Sequence, residues 1–206
     1  MSNLIYIAGN YPLKEVKDPH IKTMSVNEAL AAGIKGLDML LQDEKLDRDE
    51  PGVILWMDEA AAREDGFEHT GNEPDILDDH FSIIPFEKCE GILTEKTYCA
   101  SLDWKYTKGR AARVISYIND YLKHTDEAEI WNIWMGNSYP PPLVKKIKVS
   151  SNELTPELLE KIDSIDRYQK PALYNKYVPN DWDISEEELN PDTQYCFVLR
   201  KDELTQ

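Results

Sequence analysis

The chain has 206 residues, enough for one large domain or two small ones, and 41% of them are hydrophobic, enough for a real core. No apolar run approaches the roughly 20 residues of a membrane span, and the aliphatic and aromatic content is too high for a disordered acidic tail. A formal net charge of −16 repels nucleic acid phosphates and attracts basic partners.

The charge is uneven. Residues 43–80 hold 14 acidic and three basic side chains, a net of −11, and residues 149–206 hold 13 and six, a net of −7. Between them, residues 96–148 carry nine basic and five acidic side chains, a net of +4. Ordinary solubility accounts for such acidity as readily as a dedicated partner does. The cysteines Cys89, Cys99 and Cys196 form no CxxC pair. No basic region precedes the short apolar stretch near Met1, so they read as reduced, packed thiols of a cytoplasmic protein. Lys201-Asp202-Glu203-Leu204 spells a retrieval signal, but Thr205 and Gln206 follow it, and such a signal is read at a terminus.

In chain order, Leu4 to Ala8 alternates as a first strand, and a loop with Pro12 and Pro19 follows. Ser25-Val26-Asn27-Glu28 is a capping box, in which the Ser hydroxyl and the Glu carboxylate each satisfy a free amide at the helix start. Val26, Leu30, Ile34, Leu37 and Leu41 recur at spacings of four, four, three and four, which predicts one helical face as far as Leu41. Gly33 and Gly36 weaken that helix by about 1 kcal/mol each relative to alanine. Val53 to Met57 is a continuous apolar run suited to a buried strand. Ala60 to Asp79 is polar, with Gly66, Gly71 and Pro74, and reads as a long exposed loop. Phe81 to Phe86 is a short strand that Pro85 moves towards a sheet edge.

The second half is more regular. Tyr98 to Trp104 reads as a strand, and Ala111, Val114, Ile115, Ile118 and Leu122 mark an amphipathic helix. Ile130 to Met135 is apolar on both faces, and Val144 to Val149, with its lysines, suits an outer strand. Thr155-Pro156-Glu157 is a strong helix start, with Leu154 and Leu159 placed as a staple. Tyr195 to Leu199 is the last strand. From residue 97 the order is β-α-β-β-α-β, that of a ferredoxin-like split βαβ pair, and the first half gives a related β-α-β-β. The expected fold is α+β: a mixed or antiparallel sheet with helices on one face. The expected segments are 1–95 and 96–206, joined as two domains or one continuous domain. Residues 166–193 would be a loop of nearly 30 residues, a length that counts against the assignment.

Three constellations are candidates for chemistry. His69 and His80 bracket Asp75, Asp78 and Asp79, and imidazole with carboxylate suits Zn²⁺, Mn²⁺ or Fe²⁺. Alternate residues of an extended segment point opposite ways, so the metal candidates reduce to His69, Asp79 and His80, with a solvated acidic loop as the plainer reading. Asp58 and Glu59 follow an apolar strand, where strand ends converge on a crevice in α/β active sites; adjacent carboxylates also mark a strand leaving the core. Lys105, Lys108, Arg110 and Arg113 surround Gly109 at a helix start, where cations oppose the macrodipole. A bound anion would compensate, and so would Glu157, Glu160 or Asp163 from the helix beginning at Pro156. Exposed pairs contribute about 0.2–1 kcal/mol, so Arg110→Ala is expected to leave the fold intact.

Trp131 and Trp134 face opposite sides of a strand and form no single stacking platform. No phosphate loop, dinucleotide fingerprint, HExxH or nucleophile-elbow pattern is present, so no catalytic residue and no cofactor is assigned. The expected function is non-catalytic intracellular binding, with an acidic surface presented to a basic protein partner of the kind met by inhibitors and immunity proteins. The alternative is an enzyme or sensor that takes a small phosphorylated ligand at the basic helix start near residue 110. Neither nucleic acid nor membrane is an expected partner.

Overall fold

A computed structural model describes residues 3–67, 76–86, 93–134, 144–165 and 194–201. His69, Asp75, Cys89 and the segment 166–193 lie outside the described residues. In chain order the strands are β1 (Asn3–Gly9), β2 (Ile21–Met24), β3 (Ile54–Met57), β4 (Phe81–Pro85), β5 (Tyr98–Trp104), β6 (Glu127–Trp134), β7 (Val144–Ser150) and β8 (Gln194–Arg200). The helices are α1 (Val26–Ala31), α2 (Asp38–Leu41), α3 (Glu59–Glu64), α4 (Lys108–Tyr121) and α5 (Pro156–Asp163). The chain forms two compact units, one of Met1–Lys17 with Phe81–Gln206 and one of Asp18–His80. Residues 95 and 96, the expected boundary, fall inside the first.

The larger unit is α+β, built on a six-stranded mixed sheet in the order β4-β5-β1-β6-β8-β7. Its ladders are antiparallel except β7 with β8. β5 and β6 both run antiparallel to β1, which lies between them, so the β5-α4-β6 unit is split and the N-terminal strand fills the gap. The β7-α5-β8 unit is unsplit, its parallel strands being direct neighbours. The two units therefore lie side by side in the sheet and do not interleave, although the succession of elements from residue 97 is β-α-β-β-α-β.

The central strands are apolar on both faces, as strands buried on both sides must be. Towards α4 and α5, Ile5, Ile7, Ile130 and Phe197 pack with Val114, Ile118, Leu159 and Ile162. The opposite face gathers Tyr6, Ala8, Cys99, Trp131, Cys196 and Val198, with the Tyr6 and Trp131 rings stacked at 5.7 Å. Each large aliphatic or aromatic side chain so buried contributes about 1.5–3 kcal/mol. The edges follow local sequence: β4 ends at Pro85, which donates no ladder hydrogen bond, and β7 carries three lysines. Thr155 caps α5 by accepting from the Leu158 amide at 3.2 Å, and Leu154 and Leu159 are both buried beside it.

In the smaller unit β2 and β3 pair with each other and form a separate two-stranded sheet. The capping box forms: Ser25 Oγ accepts from the Glu28 amide at 3.1 Å and Glu28 accepts from the Ser25 amide at 2.7 Å. The helix it opens stops at Ala31, short of Leu41. Gly33 (φ 78°) and Gly36 (φ 84°) occupy the left-handed region, which glycine enters without steric cost, and the chain becomes helical again only at Asp38. Of the periodic positions, Ile34, Leu37 and Leu41 pack with Val26 around Ala29 and Ile54, while Leu30 is exposed. Part of the stretch expected as a loop is α3, where Asp58 supplies the N-cap and Ala60, Ala61 and Ala62 have the highest helix propensity. No helix among the described residues is long and apolar enough to cross a membrane.

At the end of β1, the Tyr121 hydroxyl accepts from the Tyr11 amide at 3.0 Å and donates to the Tyr11 carbonyl at 2.9 Å. A β-carbon on Gly9 would overlap that hydroxyl. Gly9→Ala is therefore expected to cost about 1–3 kcal/mol, as overpacking does, seen as a lower urea midpoint with an unchanged slope. A midpoint equal to the wild type would mean that Tyr121 moves aside freely.

Candidate functional site

Residues 18–80 carry 17 acidic and five basic side chains, a net of −12 out of the chain's −16. The densest part is held in a defined shape. Asp43 accepts from the Lys45 amide at 2.9 Å and Asp47 from the Asp49 amide at 3.0 Å, two side-chain turns of the kind aspartate favours. Asp49 also accepts from Asn27 at 2.8 Å, and the Arg48 guanidinium donates to the Leu41 carbonyl at 3.0 Å. This leaves Asp38, Asp43, Glu44, Asp47, Asp49 and Glu50 all exposed. Met39, on α2, is 86% exposed beside them. Leu55, Phe67 and Ile76 of the same unit are also exposed.

A second cluster closes this unit. The Asp18-Pro19-His20 turn is pinned by Asp18 Oδ1, which accepts from the His20 amide at 2.8 Å. His20 Nδ1 meets Asp58 Oδ2 at 2.7 Å, and Nε2 meets Asp79 Oδ1 at 2.9 Å. His80 Nδ1 meets Asp18 Oδ2 at 2.6 Å, and Nε2 meets Asp65 Oδ2 at 3.4 Å. The two rings cross edge to face with centroids 5.8 Å apart. Asp58 and Asp65 are the N-cap and C-cap of α3, so the two histidines tie the ends of the Asp18–His80 segment to both ends of one helix.

The electrostatics follow from those contacts. Burial opposes a charge on His20, but the hydrogen bonds to Asp79 and Asp58 outweigh it and lift the ring above its ordinary value of 6.5. Asp58 is likewise opposed by burial, and the Ala61 amide and His20 hold it below its ordinary 3.8. A charged ring donates to both carboxylates, whereas a neutral one can donate to one of them. While it is charged, the His20 ring has no lone pair with which to act as a base or bind a metal. Asp79 and His80, two of the metal candidates, turn to different partners, and among the described residues no group of three ligating side chains is arranged for a metal ion. Asp58 accepts from the Ala61 amide at 2.9 Å, while Glu59 pairs with Arg63 at 3.6 Å on the helix surface.

The four cations near Gly109 do not converge. Arg110 is fully buried and donates from Nη1 to the Lys105 carbonyl at 2.9 Å. Lys105, Lys108 and Arg113 are exposed, and Thr107 Oγ1 already caps the helix by accepting from the Arg110 amide at 3.1 Å. α4 and α5 do pack together, but Lys108, not Arg110, reaches Glu157, at 3.9 Å. The expectation of a harmless Arg110→Ala rested on an exposed ion pair and gives way to this burial. His20, Asp18 and Asp65 escaped the sequence reading because their partners lie 15 to 62 residues away; the repeated Asp beside or near His at 18–20 and 79–80 was the available signal.

Two outcomes follow. Arg110→Ala should destabilise the chain by more than about 2 kcal/mol, because it removes a large buried side chain and strands a carbonyl; denaturant unfolding measures this. The raised value of His20 means its stabilising contribution is complete below pH 6.5 and is lost as pH rises through the higher folded value. An NMR titration of the His20 ring should give a midpoint above 6.5 that drops in Asp79→Asn. A midpoint at or below 6.5 in the wild type would show that burial wins.

Comparison with protein-family models, with curated proteins and with solved structures finds no match for this chain.

Proposed function

We propose that the chain is a non-catalytic binding protein whose Asp18–His80 unit presents its acidic surface to a basic protein partner, in the manner of an inhibitor or immunity protein. One observation carries the reading: six exposed carboxylates, Asp38 at the start of α2 and five on the following loop held by its own side-chain turns, sit beside the exposed Met39. Fixed carboxylates steer an oppositely charged partner and set its register. An apolar side chain among them supplies the desolvated centre on which affinity depends. A net of −12 within 63 residues is a single-sign field of the kind that steers a basic partner.

The test uses the triple variant Asp38→Asn, Glu44→Gln, Glu50→Gln, which spares the turn-forming Asp43 and Asp47. Full-length wild type immobilised in native host lysate should retain lysine- and arginine-rich proteins. These should be lost with the variant, and also at 1 M salt, where the Debye length falls to about 3 Å. Partners retained equally by the variant and at high salt would sink the proposal.

A further inference from the structure

The ladder between β1 and β5 runs from Gly9 with Tyr98 to Tyr6 with Ser101 and stops there. β1 continues along β6 as far as Asn3 with Trp134, and β5 continues along β4 as far as Trp104 with Phe81. Each strand follows its other neighbour, so the two part, and a slot of about 360 Å³ opens between them. That size suits a small molecule. Ile5, Leu102 and Trp104 line it on the side of the helices, and Leu4, Ile84 and Ser101 on the other.

The slot is apolar in its middle and acidic at its mouths. Asp163, the last residue of α5, stands at one and the exposed Asp103 at the other, and among the described residues no basic side chain lines it. Trp104 Nε1 is buried and directed to the Asp163 carboxyl. Burial pushes the Asp163 carboxyl up to about 6, with Trp104 the sole counter-influence. Among the described residues, the other titratable groups around it are Asp103, Tyr106 and Glu160, none of them a cation. On α4, Lys108 is turned to Glu157 and Arg110 to the Lys105 carbonyl. A half-buried carboxylate without a counter-charge is costly.

We propose that this slot binds a small organic cation, an alkylammonium or arylalkylammonium whose charge sits against Asp163 and whose apolar body lies along Leu4, Ile5 and Ile84. The ammonium supplies the missing counter-charge. An anion would meet two carboxylates, and a neutral molecule would leave Asp163 uncompensated. Because the ionised carboxyl is the binding form, affinity falls as Asp163 is protonated.

The test is a titration of the full-length protein with phenethylamine, followed through the Trp104 indole N–H signal. Saturable binding is expected at pH 7.5, about tenfold weaker at pH 5 as a group titrating near 6 requires. Asp163→Asn should weaken it at least as much and remove the pH dependence. Ile84→Trp, which fills the slot and keeps both carboxylates, should block binding, and gives an independent answer if Asp163→Asn folds poorly. Neutral 2-phenylethanol and anionic phenylacetate should not saturate the signal. Equal binding of either, an unchanged affinity in Asp163→Asn, or no saturation by phenethylamine would overturn the assignment.

Discussion

The six-stranded sheet depends on β1 having partners on both sides. Its seven residues pair with β6 along their whole length and with β5 along part of it, and Tyr6, Ile7 and Ala8 are fully buried. Without β1, β5 and β6 would be parallel strands held apart by the width of one strand, with a row of unmet backbone groups facing the gap. The N-terminal segment is thus an internal part of the later sheet. That pairing draws Met1–Lys17 into one unit with Phe81–Gln206, and the chain between them folds around its own small core.

That core is slight. Three buried side chains, Val26, Ala29 and Ile54, anchor it, and the β2–β3 pair is a two-stranded sheet of the kind that is marginal alone. The crossed rings of His20 and His80 compensate for this by fastening both ends of the segment to the caps of α3. Histidine suits the role because a charged imidazole donates in two opposed directions and so bridges two carboxylates. In a unit so rich in acids, a charged His20 ring also relieves repulsion between Asp58 and Asp79.

The larger unit handles its charges differently. Among the described residues its cations lie mostly on surfaces, as at the β7 edge and the start of α4, while Arg110 is fully buried and the largely enclosed Lys96 pairs with Glu127. Where β1 and β5 part, the same competition between neighbours that organises the sheet leaves a gap through it. The splayed ends and the uncompensated Asp163 are two results of one packing choice, since α5 brings its last residue to the place where the strands separate.

Short-range features were legible in the sequence because their causes are local. The Ser25–Glu28 capping box, the Thr155-Pro156 helix start, the staple of Leu154 on Leu159, the Pro85 edge and the apolar central strands each depend on residues a few positions apart. The glycines at 33 and 36 carried their own warning: the periodicity around them named Val26, Ile34, Leu37 and Leu41 correctly and the exposed Leu30 wrongly, and only the backbone conformation of the glycines decided that the helix breaks. What the tertiary structure alone decided was pairing between distant segments. Nothing in Leu4–Ala8 says that it will lie between strands that begin about 90 and 120 residues later, because strand pairing uses backbone groups common to all residues. The same holds for the site residues. His20 looked isolated, and Arg110 looked like its exposed neighbours, because burial and hydrogen-bond partners belong to positions in space and not to positions in the chain.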